Sequence, residues 1–545
     1  MKRSYLLYFS AAIFLLLQAC NKNSSHTATG TNATIPLHYA PEGEKLKIAA
    51  EVGGNYGTFQ LISAGNGKSA EIYNLSLADG GQADLVAYKG TGHQQWRLSD
   101  EGNGYFKIMN DGSGKYMQAY YYAGVTQLIQ VFSDTSSTQL WSITSAGNGY
   151  YKAINKATGL AITSVDSGIV KLAPYINNNT QWWSYNQLPS QAYRDDYMVN
   201  FFHRKHGSIS FDQGNSIPLA DGRSVWVTED TYTQNDNMQP NGEYRCGWFF
   251  DIHNSLLLQP VSHSWDQANT DNIITHNSTH AYEALASPGD HNATETWPGV
   301  GVEIGNHVYM YAYEGPPQNG FNDIVIYDFT EGAGGSLDWG TGVRHTVPGV
   351  SDQDTITYAA GFVKPGDGYV YAYGTQNVFL VKLLYVARFA ENNPFVWTFW
   401  NGTTWAARPT YTQAAQITNT GHDNSVQANT AISYVNGKYV MMQMDLGYFC
   451  DNNPHNIYMS TSISPFGPFT PLKTVFTIED MINGHLCNYY TPAIHPEFNN
   501  GKNELLITYC LNYTSCQVST CPDGYLDPNF YQVKGVRVPY SEIGL

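Results

Sequence analysis

An all-β fold is predicted for this chain on three observations. Charged residues are 13% of its 545 residues, about half the share of roughly 25% usual in globular domains. Aromatics reach 14%, with 41 Tyr and 12 Trp, and helical periodicity is scarce. The chain also repeats itself twice over, at a short period near its start and at a longer one afterwards. Few charges with many Tyr, Asn, Thr and Gly suit an extracellular protein whose aromatic faces stack on flat sugar rings. The net charge of −17 argues against nucleic acid and against adsorption to anionic lipid.

The first residues read as an export address. Lys2 and Arg3 form a positive segment and Leu6–Leu17 a short apolar one, too short for an ordinary transmembrane helix. Leu17-Gln18-Ala19-Cys20 resembles a bacterial lipoprotein signal box, which implies cleavage before Cys20 and lipid on its thiol. The plainer reading is a secretory signal with an incidental Cys. Residues 1–20 are thus expected to be the signal, and 21–45, rich in Asn, Ser, Thr and Gly, a flexible tether. The expected location is the outer membrane or cell surface, with the lipid as the sole membrane contact. Cys246, Cys450, Cys487, Cys510, Cys516 and Cys521 remain, and read as disulfides or free thiols, since no CxxC pair supports zinc.

Residues 46–188 repeat three times. Phe59–Ser63 is followed by Gly67-Lys68, Phe106–Asn110 by Gly114-Lys115, and Tyr151–Asn155 by Gly159-Leu160. Each unit closes on Gln-x-Trp, at Trp96, Trp141 and Trp183, spaced 45 and 42 residues apart. Three such units would bury one core around a pseudo-threefold axis, with the Trp side chains inside it. This pattern resembles the ricin-type β-trefoil lectins. That resemblance implies a sugar site built from an acid near the start of each repeat and polar groups near its closing Trp. The acid position reads Glu71, Gln118 and Thr163, so the first repeat, with Glu71, Tyr88 and Gln94, is the best candidate. A trefoil that only spaces or docks is the alternative.

Residues 200–545 carry a weaker repeat: an apolar arm, a Gly turn, then a β-rich arm. Gly222, Gly305, Gly368, Gly437 and Gly501 mark the turns, 83, 63, 69 and 64 residues apart. A period of this size with hairpin signals suits four-stranded propeller blades, five in all. The predicted architecture is therefore an N-terminal β-trefoil and a C-terminal five-bladed β-propeller. Ser216–Leu219, Asp221-Gly222-Arg223, Trp226 and Asp230-Thr231 resemble the opening of an uncharacterised bacterial propeller domain. Trp297-Pro298-Gly299 and Tyr490–Pro496 resemble its second and last blades. That domain looks related to endo-D-arabinanases and arabinofuranosidases, which implies glycoside hydrolysis.

The acid pair implied by the resemblance falls on Asp212 and Asp230, at the two ends of one hairpin. Two carboxylates facing one cleft are what glycoside hydrolysis requires: one protonates the leaving oxygen and the other activates water or attacks. The reading takes Asp212 as base and Asp230 as acid, with the order open. Against the pattern, Glu229 stands where Gly is usual and Val300 where Asp is common, and a lost axial acid either weakens the case for catalysis or shifts the role to Glu303 or Glu229. Residues just before the innermost strands face the axis, which nominates Trp297, Asp354, Asp423 and Tyr490, with His485 and His495 nearby, as substrate contacts. For the aromatics, blade packing is the competing role. The histidines read as structural or sugar-contacting, because no HxH or HExxH pattern accompanies them. No cofactor is indicated, and an axial calcium has no sequence support. The expected partner of this monomer is a polysaccharide, either cleaved or, in the alternative, captured without chemistry. A structural surface component is the third reading.

Overall fold

The computed structural model describes residues 55–165, 168–233, 238–240, 242–245, 252–273, 295–315, 323–332, 337, 339, 342–378, 381–417, 427–447, 453–482, 484–515 and 524–545. Cys20, Cys246, Asp423, Cys450, Cys516 and Cys521 lie outside them. Strands dominate, and two short helices, Asp196–Phe202 and Tyr540–Ile543, are present among the described residues.

The trefoil is built on three copies of one hydrogen-bonded unit. Trp96, Trp141 and Trp183 are buried, and each indole N–H donates to a backbone carbonyl: Ala70 at 3.2 Å, Met117 at 3.1 Å and Ile162 at 3.0 Å. The preceding glutamines repeat the same job. Gln94 Oε1 accepts from Lys89 N and its Nε2 donates to Ala87 O. Gln139 does so with Asp134 and Phe132, and Gln181 with Ile176 and Pro174. A buried amide that satisfies both its donor and its acceptor locks a loop without an unpaired polar group. The Gln-x-Trp spacing thus encodes a structural staple, and the core of Leu61, Leu98, Ile108, Leu128, Ile143 and Leu172 packs round the three indoles.

The propeller has five blades. Their innermost strands are Ser208–Pro218, Glu295–Ile304, Thr357–Val363, Gln427–Val435 and His485–His495. Each touches the next, and the fifth touches the first, so the ring is closed. All five turn glycines sit just beyond the inner strands with positive φ: Gly222 at 91°, Gly305 at 64°, Gly368 at 87°, Gly437 at 81° and Gly501 at 75°. Every pair of neighbouring blades buries its own apolar layer. In blade 1, Val225 and Val227 face blade 2, whereas Trp226 between them faces Phe498 of blade 5, as the two-residue period of a strand requires.

The ring is closed by the segment that joins the two modules. Tyr193–Arg194 pairs antiparallel with Val533–Pro539, which lies beside Glu504–Ser515, so the connector supplies the outermost strand of blade 5. Arg194 then ties three parts together. Its Nη2 meets Asp480 Oδ1 at 2.6 Å, with both side chains 1% exposed, and its Nε donates to Gly112 O of the trefoil at 3.2 Å. Tyr509 donates to the other oxygen of Asp480. A Cβ on Gly114, which has φ 68°, would stand 2.8 Å from Arg194 Cγ, so the trefoil backbone approaches the clasp as closely as glycine permits. Asp195 caps the first helix through Met198 N and pairs with buried Arg537. Cys487 and Cys510 are buried free thiols, so neither belongs to a disulfide.

Removing one member of a buried ion pair strands the other charge. Arg194→Ala should lower unfolding free energy by about 3–5 kcal/mol, read as a shift of the urea midpoint. A shift equivalent to less than about 1 kcal/mol, the range of an exposed pair, would show that the clasp does not hold the modules.

Candidate functional site

The hairpin of blade 1 brings its two ends together as the sequence implies, through irregular backbone. The register between Ser208–Pro218 and Ser224–Thr233 shifts on either side of Asp212, and Asp212 ends opposite Glu229. Gln213 and Asp230 take φ values of 76° and 37°, and Thr491 on the neighbouring inner strand takes 47°. Left-handed backbone at non-glycine residues costs of order 1–3 kcal/mol each and concentrates at functional sites.

Three carboxyls converge there. Asp212 is 6% exposed. Burial, and then the charge of Asp230, push its carboxyl up to about 7, against the hydrogen bond that Tyr490 donates to Oδ2. Burial, followed by Asp212 and Asp230, holds the Glu229 carboxyl well above its ordinary range. Gln213 Nε2 donates to Glu229 Oε1 at 3.1 Å. Asp230 Oδ1 accepts from Trp297 Nε1 at 2.9 Å, and His253 Nδ1 lies 3.3 Å from the same oxygen. Asn512 donates to the Tyr490 hydroxyl at 3.2 Å, and the Tyr531 hydroxyl also hydrogen-bonds to Asp212. Two or more carboxyls pushed toward neutrality beside each other form the arrangement in which one holds a proton for transfer.

The other nominated residues divide. Trp297 and Tyr490 are half-buried and orient the acids. His485 is half-buried at the head of the strand that carries Tyr490. Asp354 is exposed in the turn before the third inner strand, close to Tyr411, and takes no part in the cluster's hydrogen bonds. His495 is buried in the blade wall, its Nδ1 2.6 Å from Ser216 Oγ and its Nε2 2.8 Å from Thr508 Oγ1. Burial, then Arg537, lower its imidazole to about 3, so it is neutral. Glu303 accepts from Ala220 N in the turn at the opposite end of blade 1, away from the acids. An axial cavity of about 210 Å³ lies at that end, between Ser216, Glu303 and Glu497. Glu229 enters the cluster at the position where the sequence departs from its relatives. His253 and Tyr531 carry no sequence signal, because only the third strand of blade 1 and the chain's last turn bring them there. Among the described residues, no group of three His, Cys, Asp or Glu is placed to hold a metal.

In the trefoil's first repeat, Glu71 pairs across its hairpin with Asp84. Burial, then Asp84, push Glu71 up to about 7, and burial raises Asp84 to about 6. Glu71 also bonds to Gln94, as Gln118 does to Gln139 and Thr163 to Gln181. Glu479 of the propeller accepts from Gly92 N at 2.9 Å, and Glu71 contributes to the rise of its carboxyl to about 7. The first-repeat acid therefore faces the other module, with Tyr88 exposed beside it.

These features define an all-β protein of two modules: a ricin-type lectin-like trefoil, and a five-bladed propeller with a cluster of buried acids. The chain belongs to the family described as domain of unknown function DUF5005, whose profile matches residues 195–536. The profile described as ricin-type beta-trefoil lectin domain-like matches residues 45–130 and 92–173. Among solved structures, a Bacteroides ovatus protein provisionally described as a hydrolase is 19% identical. The match covers 64% of this chain and 90% of that one, with a TM-score of 0.46. A designed threefold-symmetric protein, ThreeFoil, is 28% identical over 24% of this chain and 99% of its own, at a TM-score of 0.23. An exo-beta-1,3-galactanase from Clostridium thermocellum is 27% identical over 24% of this chain and 30% of its own, also at 0.23. No curated protein matches.

The acids should be visible in stability alone. Asp212 is raised from its ordinary value to about 7, so the folded state binds its proton more tightly than the unfolded state. Its stabilising contribution is complete below about pH 4 and is lost as pH rises through about 7. Asp212→Asn should therefore melt higher than the wild type at pH 8 and lose that advantage at pH 5, by scanning calorimetry. Equal melting-temperature differences at both pH values would show that Asp212 is not a desolvated acid.

Proposed function

We propose that the chain is a glycoside hydrolase acting on a furanose-containing or other complex polysaccharide, to which the trefoil holds it. The observation that carries this reading is the convergence of Asp212, Glu229 and Asp230 in one partly desolvated cluster. In this arrangement Asp212, with Glu229 behind it, holds the proton for the leaving oxygen. Asp230, fixed by the Trp297 indole, is the carboxylate that activates water or attacks. This reverses the order first assigned from sequence, because burial falls on Asp212. A lectin module on the same chain raises the effective concentration of substrate without any contact at the acids. Cys20 anchors the chain by lipid at the outer membrane or cell surface, so that Cys20→Ala would move it from the membrane to the soluble fraction.

A second reading, glycan capture without chemistry, is favoured by the shielding of Asp212 Oδ1, which is buried and has no hydrogen-bond partner among the described residues. Glycan release separates the two. Incubated with arabinans, arabinogalactans and host-type glycans, the chain from residue 21 onward should release product from at least one. Asp212→Asn and Asp230→Asn should each lower the rate by about 10²–10⁴-fold. The wild-type rate should fall as pH rises through about 7, where Asp212 loses its proton. Retention of one glycan with no product, unchanged by either substitution, would place the propeller in the binding class.

A further inference from the structure

A large cavity lies away from both the acids and the trefoil's first repeat. It is a cleft of about 650 Å³ between the modules, within the roughly 300–1,000 Å³ range of small-molecule sites. Its walls are the trefoil's second repeat, the connector helix Asp196–Phe202, and two propeller turns, at Ser262–Trp265 of blade 1 and Phe498–Lys502 of blade 5. Both turns lie at the Gly222 end of their blades. Gln259, just before the first, pairs with Ser224, and the second joins the inner strand of blade 5 to its neighbour. Asp212, Glu229 and Asp230 lie at the opposite end.

The groups facing the cleft have unspent hydrogen bonds. Tyr197 is 55% exposed on the connector helix, and its hydroxyl has no partner among the described residues. Trp265 is half-buried, packed edge-on against Phe201 at 5.4 Å and against Phe498 at 5.1 Å. Its indole N–H also has no partner among the described residues. The Lys502 ammonium makes no ion pair among them and faces Asp196, which already accepts from the Tyr116 hydroxyl at 2.5 Å. Of the other charges, Arg537 is paired with Asp195 and Arg97 with Asp111 at 3.4 Å, while Lys107, which donates to Ser133 Oγ and Asp134 O, and Glu101, which accepts from Ser99 Oγ, are of opposite sign.

We propose that this cleft is a second carbohydrate site, for a neutral oligosaccharide of two or three units. Rings with an apolar face and a free polar edge match the alternation of C–H and O–H on a sugar. Lys502 and Asp196 supply a donor and an acceptor for hydroxyls, while the balance of charge gives an acidic glycan no net attraction. The ligand class rests on the reading of the chain as glycan-directed, but the site does not use the acid cluster. A glycan seated here would be held at the end of the propeller opposite the acids, leaving the acid end free for another segment of the polymer.

The test is an array of neutral di- to tetrasaccharides printed beside uronic-acid oligosaccharides of the same lengths. Hits are titrated by tryptophan fluorescence against Asp212→Asn, which removes hydrolysis so that the ligand persists. Binding of a neutral oligosaccharide, weakened tenfold or more by Tyr197→Ala and by Lys502→Met at unchanged melting temperature, is the expected result. Trp265→Phe keeps the packing and should weaken binding through the lost N–H. The proposal is overturned if no neutral oligosaccharide binds, if only the uronic-acid series binds, or if both cleft variants bind as tightly as their parent. A loss produced by Tyr88→Ala in their place would put the ligand on the trefoil and overturn it equally. Glycan release without cleft binding sinks this site alone, and cleft binding without glycan release sinks the hydrolase reading alone.

Discussion

The buried pair of Arg194 and Asp480 is the constraint on which the rest depends. A ring of blades must be sealed somewhere, and here a two-residue strand from the connector completes the fifth blade. Two paired residues offer little on their own, since a short edge strand is marginal. The guanidinium compensates by reaching Asp480 of the fourth blade's outer edge and Gly112 of the trefoil at once. The desolvation cost of two charges is recovered only with several hydrogen bonds, and Tyr509 and the Gly112 carbonyl supply two, while Arg194 Nη1 is buried with no partner among the described residues. One side chain therefore sets both ring closure and the seat of the trefoil. Leu75 and Leu77 of the trefoil extend that seat by packing into the apolar layer between blades 4 and 5.

Closure fixes the acid cluster, because the cluster takes residues from both sides of the seal. Asp212, Glu229 and Asp230 come from blade 1, and Tyr490, Asn512 and Tyr531 from blade 5 or the turn leading into its last strand. The cluster gathers three features that work against stability: buried carboxyls, left-handed backbone at Gln213, Asp230 and Thr491, and a register shift on each side of Asp212. Folding alone has no use for such a combination, and it is what a site gives up in stability to hold groups in a reactive state. The contrast with His495 is instructive. That side chain is as buried as Asp212, yet it is hydrogen-bonded through both ring nitrogens and neutral, which is how a purely structural polar residue looks.

What the sequence made legible was whatever repeats. The Gln-x-Trp units and the five turn glycines are read directly, because a staple or a positive φ tolerates few residue types, and each recurs at the period of its module. The Asp212–Asp230 hairpin was legible for the same local reason. Glu229 was legible only as a departure: a Glu where Gly is usual becomes a third acid because the shifted register sets it opposite Asp212. His253 and Tyr531 were illegible, since their place depends on which blade packs on which. Gln94 reads as a sugar ligand from sequence, and the structure gives the same residue in all three repeats backbone partners and one side-chain partner at the acid position. A ligand role and a staple role demand the same amide, and only the hydrogen-bond partners distinguish them.

The trefoil's departure from threefold equivalence follows from its docking. Its three repeats share the staple but not the acid, and the one acid that remains, Glu71, is near enough to Glu479 of the propeller to raise its carboxyl. Burial raises the proton affinity of both Glu71 and Glu479, with Asp84 adding to the first and Asp480 and Glu71 to the second, so this end of the junction resists taking on negative charge. A free-standing lectin would keep such an acid open to a sugar. Here the first repeat's acid is buried, bonded to Gln94 and paired across its hairpin with Asp84, while Tyr88 stays exposed. At the other end of the same interface the modules part, and the aromatic, donor and acceptor groups turned toward solvent there are unspent.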